Sequence, residues 1–166
     1  EATKPIMSKG LPHPLAEMPM PTDTDGDDIP RIQALMAGAG IVPFSGSMLA
    51  GNFGAAATLV IGEGDGSPVA AAHAYFPHNA HSPYHRYAWG GLVAVSEGLR
   101  GNGLGTYVNA RLLDIAFNDL GATHVYELIS PGNMASRRMV ESCGLQHDPD
   151  LVCGVASPQD SARFTR

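Results

Sequence analysis

The sequence is poor in charge, in cysteine and in long apolar runs, and each shortage excludes a class of protein. Only 16% of its 166 residues are Asp, Glu, Lys or Arg, against about a quarter in an average soluble domain. The two cysteines match no metal or redox spacing and are too few for a disulfide-stapled scaffold. No apolar stretch approaches the roughly 18 residues that a membrane-spanning helix needs.

The charge balance is acidic, with a net charge of −6 and no run of Lys or Arg. Nucleic acid would be repelled by such a surface, whereas a cationic small molecule or a basic peptide would be attracted. The first residues lack the apolar segment of a signal peptide, so we expect a cytoplasmic protein. The chain also lacks an initiator Met, which is consistent with a trimmed chain or with part of a longer tandem protein.

What is abundant is apolar and turn-forming residues. Hydrophobic residues make up 44% of the chain, and it holds 20 Gly and 13 Pro, which predicts one compact domain with many loops. Residues 1–26 are proline-rich and predict an extended, partly disordered lead-in with a short edge strand near residues 17–20. The domain itself is predicted to span residues 27–166.

The hydrophobic pattern of that domain predicts an α/β fold around one mixed sheet. Apolar residues at helical spacing predict helices that start at Asp27 or Asp28, at Leu104 and at Asn133, and the second of these is predicted to run to Leu120, before Gly121. Short apolar runs predict a hairpin over 57–63 and 68–76 and further strands over 87–95, 123–129 and 151–156. Gly90 and Gly91 stand in the middle of the third of these strands, and paired glycines there indicate a bulge or a close approach of another backbone.

A glycine-rich turn joins the strand ending at Val95 to the clearest helix of the chain. A helix start presents unpaired N–H groups and the positive end of its dipole. Gly101, Gly103 and Gly105 leave those amides accessible, and Arg100 adds a cation, so the turn predicts an anion site, most simply for a diphosphate. A Walker loop would need a Lys at its end, and a Rossmann fingerprint needs a different glycine spacing.

The segment Arg100-Gly-Asn-Gly-Leu-Gly105 resembles the pyrophosphate loop of the GNAT acetyltransferases, Arg/Gln-x-x-Gly-x-Gly/Ala. Val93-Ala-Val95 is similar to the end of the family's fourth strand. Asn133-x-x-Ser136 with Gly144-Leu145 is similar to its second conserved region. The resemblance implies a mixed, mostly antiparallel sheet of about six or seven strands with helices on both faces.

The resemblance also implies acetyl-CoA or another short acyl-CoA as cofactor. The pyrophosphate would lie over the loop and the pantetheine arm along the strand, as if it were an added strand. The cofactor-binding residues would be Val93, Ala94, Val95, Arg100, Gly101, Asn102, Gly103, Leu104, Gly105, Thr106 and Asn133. Asn133 would in any case cap its helix.

The implied activity is transfer of the acyl group to a primary amine of a small molecule or peptide, by direct attack of the amine. The alternative is an acyl-CoA-binding or sensing module without turnover, and Val140 favours it because many relatives carry a proton-donating Tyr there. A homodimer or a tandem partner domain stays open.

Two residues are candidates for the general base. Glu127 is an ionisable residue in an apolar strand, where burial would raise its pKa; it could instead point outward or pair with Arg111. His73 lies in a second apolar strand and could instead be a half-buried, hydrogen-bonded core histidine.

The loop before the fourth strand is rich in aromatic and histidine residues. It predicts an acceptor pocket, and the alternative is a solvated loop with an aromatic anchor. The pocket would be lined by Tyr84, His85, Tyr87 and Trp89. His78, His81 and His85 lack the spacing and the further ligands of a metal site, so no metal is expected.

Overall fold

A computed structural model describes residues 10–22, 27–52 and 54–150. Within those ranges the chain forms one five-stranded sheet in the order β1-β2-β3-β4-β5. The strands are β1 (Ala16–Glu17), β2 (Ala56–Gly62), β3 (Pro68–Tyr75), β4 (Tyr87–Val95) and β5 (His124–Tyr126). The helices are α1 (Asp28–Gly38), α2 (Gly46–Leu49), α3 (Leu104–Asp114) and α4 (Met134–Ser142).

The sheet is mixed and mostly antiparallel, as predicted. Strands β1 to β4 pair antiparallel with their neighbours, and β4 pairs parallel with β5. The described residues hold five strands rather than six or seven, and the strand predicted over 151–156 lies outside them. Strand β1 has only two residues, consistent with the proline-rich sequence around it.

Helices cover both faces of the sheet. Because side chains alternate along a strand, successive residues of β3 pack against different helices. Ala70, Ala72 and Ala74 of β3 pack in one core with residues of α3. Ala71, which points the other way, packs with residues of α1 and α2. We call these the α3 face and the α1 face of the sheet.

Two elements are shorter than the sequence pattern predicts. The helix predicted to run to Leu120 is α-helical only to Asp114, and a π-helical turn, Ile115–Asp119, follows it. The strand predicted over 123–129 forms β-pairs only over His124–Tyr126, because β4 and β5 separate beyond that point. No helix in the described parts of the chain is long and apolar enough to cross a membrane.

Candidate functional site

Strands β4 and β5 form a fork. They pair from Tyr87 with His124 to Trp89 with Tyr126, and beyond these pairs β4 continues to Val95 without β5 beside it. The Ser96 N–H donates to the Val69 carbonyl on β3 at 2.8 Å. Because backbone groups alternate in direction along a strand, those of Val93 and Val95 point away from β3, into the fork.

A β-bulge lies where the fork opens. Ala71 pairs with Ala94 but His73 pairs with Gly91, so β4 has one residue more than β3 over this stretch. Gly91 has φ +151° and Leu92 has φ +52°, a positive value that residues with side chains rarely adopt. The paired glycines of the sequence thus mark a bulge, as predicted, and it redirects the backbone of β4 at this point.

The glycine-rich turn brings the start of α3 to the open end of the fork. Gly101 and Gly103 have φ +79° and +84°, and Gly103 is the N-cap of α3. The first intrahelical bond of α3 is donated by the Tyr107 N–H to the Gly103 carbonyl. The amides before Tyr107 have no intrahelical acceptor, and they form the anion-binding end of the helix dipole.

Arg100 is held at the end of β4. Its Nε donates to the Val95 carbonyl at 3.0 Å, and its Nη2 lies 3.5 Å from the Gly38 carbonyl at the end of α1. The guanidinium therefore lies beside the turn, as the sequence suggested. The same bond occupies the Val95 carbonyl, one of the two carbonyls that point into the fork.

Asn133 caps α4. Its Oδ1 accepts a hydrogen bond from the Ser136 N–H at 3.0 Å, as expected for an Asn at an N-cap. The cap uses only the side-chain oxygen, so the amide N–H groups are left to bind other partners. A ligand role for Asn133 is compatible with the cap and stays a prediction.

His73 is fully buried on β3. Its Nδ1 lies 2.8 Å from the Thr58 hydroxyl, which also lies within hydrogen-bond distance of the Leu49 carbonyl. Since that hydroxyl has one proton and the carbonyl can only accept, Nδ1 must donate to Thr58. Nε2 then carries a free lone pair, and it has no hydrogen-bond partner among the described residues. Burial lowers the pKa of His73 to about 4.

Glu127 follows the last paired residue of β5 and is buried at its Oε1, which has no hydrogen-bond partner in the described ranges. Burial raises its pKa, and the nearby Asn109 side chain opposes part of that rise. Arg111 binds Glu17 at 2.9 Å and also Asp114. The alternative that Glu127 pairs with Arg111 is therefore wrong.

The two candidate bases lie on opposite faces of the sheet. The ring of His73 contacts Phe44 on the α1 face, with ring centroids 5.6 Å apart. The side chain of Glu127 lies on the α3 face, because its Cγ and the Leu112 Cδ2 border the same space above Gly90. His73 pairs with Gly91, so the two residues flank successive positions of β4.

Three of the four residues predicted to line an acceptor pocket fall into two aromatic groups, and His85 belongs to neither. Trp89 belongs with Phe44 and Tyr75, with ring centroids 5.4 and 5.5 Å from it. Tyr87 instead stacks on His124 at 4.1 Å and contacts Tyr84 at 5.2 Å. His85 Nδ1 lies 2.9 Å from the Ser82 carbonyl. Their role as a pocket stays a prediction.

Sequence reasoning missed Thr58 and Asn109, although each left a signal. Thr58 is the polar residue of the otherwise apolar strand β2, and Asn109 interrupts the buried side of α3. A buried polar residue needs a partner or a function, so both positions stand out. Among the described residues, no three His, Cys, Asp or Glu side chains are grouped to hold a metal ion.

Residues 43–145 match the model of the Acetyltransferase (GNAT) family, which spans the fork, the turn and the Asn133 helix. The chain belongs to the GNAT acetyltransferase family. The sequence resemblance is thus confirmed, and the fork and the glycine-rich turn lie within the matched segment.

One curated relative is an L-2,4-diaminobutyric acid acetyltransferase from Streptomyces avermitilis. It is 34% identical over 97 residues, which are 58% of this chain and 52% of the relative, so the match spans about half the length of that protein.

Solved GNAT structures share the fold. Glucosamine-6-phosphate N-acetyltransferase from Arabidopsis thaliana superposes with a TM-score of 0.60 at 16% identity, over 86% of this chain and 99% of that one. AAC(6')-Iy, solved with the bisubstrate analogue CoA-S-monomethyl-acetylneamine, superposes with a TM-score of 0.61 at 13% identity, over 86% and 97%.

Proposed function

We propose that this chain is an acyl-CoA-dependent N-acyltransferase that transfers an acetyl or short acyl group to a primary amine. The observation that carries the proposal is the fork between β4 and β5, which opens onto the glycine-rich start of α3. Membership of the GNAT family supports it, as does the CoA-derived ligand of the related structure.

The residues of the fork and turn suit an acyl-CoA. The positive-φ glycines and the start of α3 offer backbone amides to a diphosphate. The Val93 backbone and the Val95 N–H offer the edge-strand pairing that an amide-containing pantetheine arm would need, while Arg100 occupies the Val95 carbonyl. Asn133 stands at the start of α4 with free amide donors. When bound, acetyl-CoA would supply an activated thioester.

His73 is the residue that we assign as proton acceptor for the amine. Its Nε2 lone pair has no partner in the described part of the chain and is fixed in position by the bond from Nδ1 to Thr58. A neutral imidazole accepts a proton once nitrogen bonds to the acyl carbon and becomes more acidic. A backbone N–H of the bulge would polarise the thioester carbonyl, the role that an oxyanion hole performs.

The acceptor is best sought among small cationic amines. The net charge of −6 favours a cation, and the curated relative is named for a diamine, L-2,4-diaminobutyric acid. The aromatic group of Phe44, Tyr75 and Trp89 lies beside His73 on the α1 face. Aromatic faces attract ammonium groups, so this face suits the approach of the amine.

The test is a thiol-release assay with acetyl-CoA and a panel of amines that includes diaminobutyrate, polyamines, aminoglycosides, amino acids and lysine peptides. We expect release of CoA that depends on the acceptor, with an acetylated amine detected by mass spectrometry. Binding of acetyl-CoA without turnover on any acceptor would instead support the alternative, a sensing module, which Val140 favours.

A further inference from the structure

Two polar side chains on the α3 face of the fork, Asn109 and Glu127, lie close together in the core. Asn109 is fully buried on α3. Within the described ranges, both polar atoms of its amide and the Oε1 of Glu127 have no hydrogen bond of normal geometry. Asn109 nevertheless lies close enough to Glu127 to lower the pKa of that carboxyl. A pair of buried polar side chains inside an apolar core calls for a functional explanation.

Glu127 lies at the closed end of the fork. It directly follows Tyr126, the last residue of β5 that pairs with β4. Its Cγ is 3.7 Å from the place that a Cβ on Gly90 would take, and Gly90 follows Trp89, the last paired residue of β4. A pantetheine arm that enters along Val95 and Val93 would bring its thioester toward this end.

Among residues 10–22, 27–52 and 54–150, few titratable groups face Glu127. On α3 its neighbour is the Asn109 amide, and on β4 it is Gly90, neither of which titrates. At the C-cap of α4 the Cys143 thiol is close enough for the Glu127 charge to raise its pKa, after the larger effect of burial. The other charged residues of α3 and α4 are exposed or bound elsewhere: Arg111, Asp114, Arg137, Arg138 and Glu141.

We propose that Glu127 is the general acid that protonates the departing CoA sulfur, with Asn109 as its positioning residue. The proposal rests on the proposed acyl transfer and reverses the role of base that the sequence suggested for Glu127. Burial favours the neutral carboxyl by raising its pKa, which suits a proton donor. Glu127 also supplies the acid that Val140 cannot provide.

His73 and Glu127 then carry out the two proton transfers on opposite faces of the sheet. The amine nitrogen bonds to the acyl carbon and loses its proton to His73 Nε2 on the α1 face. The carbon–sulfur bond breaks with its electron pair on sulfur, which takes the proton of Glu127 on the α3 face. Solvent removes the proton from His73 and restores the one on Glu127, so the products are an amide and a free thiol.

The test compares kcat of the parent and of Glu127→Gln across pH, with a saturating amine. Protonation of the amine affects both proteins alike, so the ratio of the two kcat values reports Glu127. If Glu127 is an acid, the kcat of the parent exceeds that of Glu127→Gln at least tenfold at low pH. This ratio of parent to variant falls as pH rises through the pKa of Glu127. A ratio that rises with pH would mean a base and would overturn the proposal. Glu141→Gln, on the exposed face of α4, should match the parent throughout.

A second readout needs no turnover. The infrared difference spectrum between the parent and Glu127→Gln, recorded over a pH series, should contain the carbonyl stretch of a protonated carboxyl at pH values above 4.5, the ordinary pKa of this group. Its absence overturns the acid role even if amines are acetylated. Failure of every amine to react would overturn the proposed function instead, while the band would still be seen.

Asn109→Leu tests the positioning residue. The Asn109 side chain lowers the pKa of Glu127. In Asn109→Leu, the midpoint of the pH dependence of kcat should therefore lie at a higher pH than in the parent. An unchanged midpoint would remove Asn109 from the proposal. If the Gln variant does not fold, the test uses the decrease of the parent's kcat at high pH and the shift of that decrease in Asn109→Leu. A parent kcat that does not decrease at high pH contradicts the acid role.

Discussion

Replacing His73 by Asn should remove a pH dependence from the stability of the fold. The parent histidine stays neutral when folded because burial lowers its pKa from 6.5 to about 4. As pH falls below 6.5, the unfolded chain gains a proton that the folded chain does not, so the free energy of unfolding decreases. The decrease levels off as pH falls through the folded-state pKa of about 4, and well above pH 6.5 this residue contributes no slope.

The size of the effect follows from the two pKa values, 6.5 and about 4. Each tenfold difference in proton affinity is worth about 1.4 kcal/mol, so His73 should cost the parent roughly 3 kcal/mol between pH 7 and pH 4. Asn suits the comparison because its amide can still donate to Thr58 and does not titrate. The smaller side chain lowers stability at every pH alike.

The assay is urea unfolding of both proteins at several pH values from 7 to 4. Other titrating groups are common to the two chains and cancel in the difference between their unfolding free energies. We expect the deficit of His73→Asn to shrink by about 3 kcal/mol as pH falls over this range. A deficit that is constant with pH would refute the neutral, buried state of His73.

Three further substitutions test the binding and proton-transfer residues. Gly103→Val places a β-branched side chain at a positive φ and over the amides of the turn, so calorimetry should detect no binding of acetyl-CoA. The control variant Gly66→Val is equally strained, in the hairpin turn, and should bind acetyl-CoA normally. Thr58→Val should abolish the nitrogen NMR signature of an Nδ1-protonated His73 and lower kcat at least tenfold, and Thr58→Ser should restore both. Asn133→Ser preserves the cap and hence the melting temperature, but acetyl-CoA should bind more weakly because the amide donors are lost; unchanged affinity would leave Asn133 as a cap only.

Much of this site could be predicted from the sequence because the residue patterns that indicate it are local. A strand, a glycine-rich turn and a helix follow one another between Tyr87 and Asp114, and their bounds depend on short-range patterning. The bulge likewise follows from adjacent glycines. By contrast, β5 was predicted too long, because where pairing stops depends on the separation of two strands and not on the residues of one.

The pairing of polar groups across the sheet could not be predicted in the same way. His73 and Thr58 meet only because β2 and β3 pair in one register. Asn109 and Glu127 come from a helix and a strand that pack together in the α3 face. Which face Glu127 occupies depends on the parallel pairing of β5 with β4, and that placement changes its proposed role from base to acid.

The most direct test of the central claim is a crystal structure of the full chain with acetyl-CoA. We expect a diphosphate on the amides of residues 101–106, and a pantetheine arm hydrogen-bonded to Val93 in the fork. We also expect the thioester to lie between His73 on one face of the sheet and Glu127 on the other. A diphosphate bound away from the start of α3, or an arm that lies outside the fork, would contradict it.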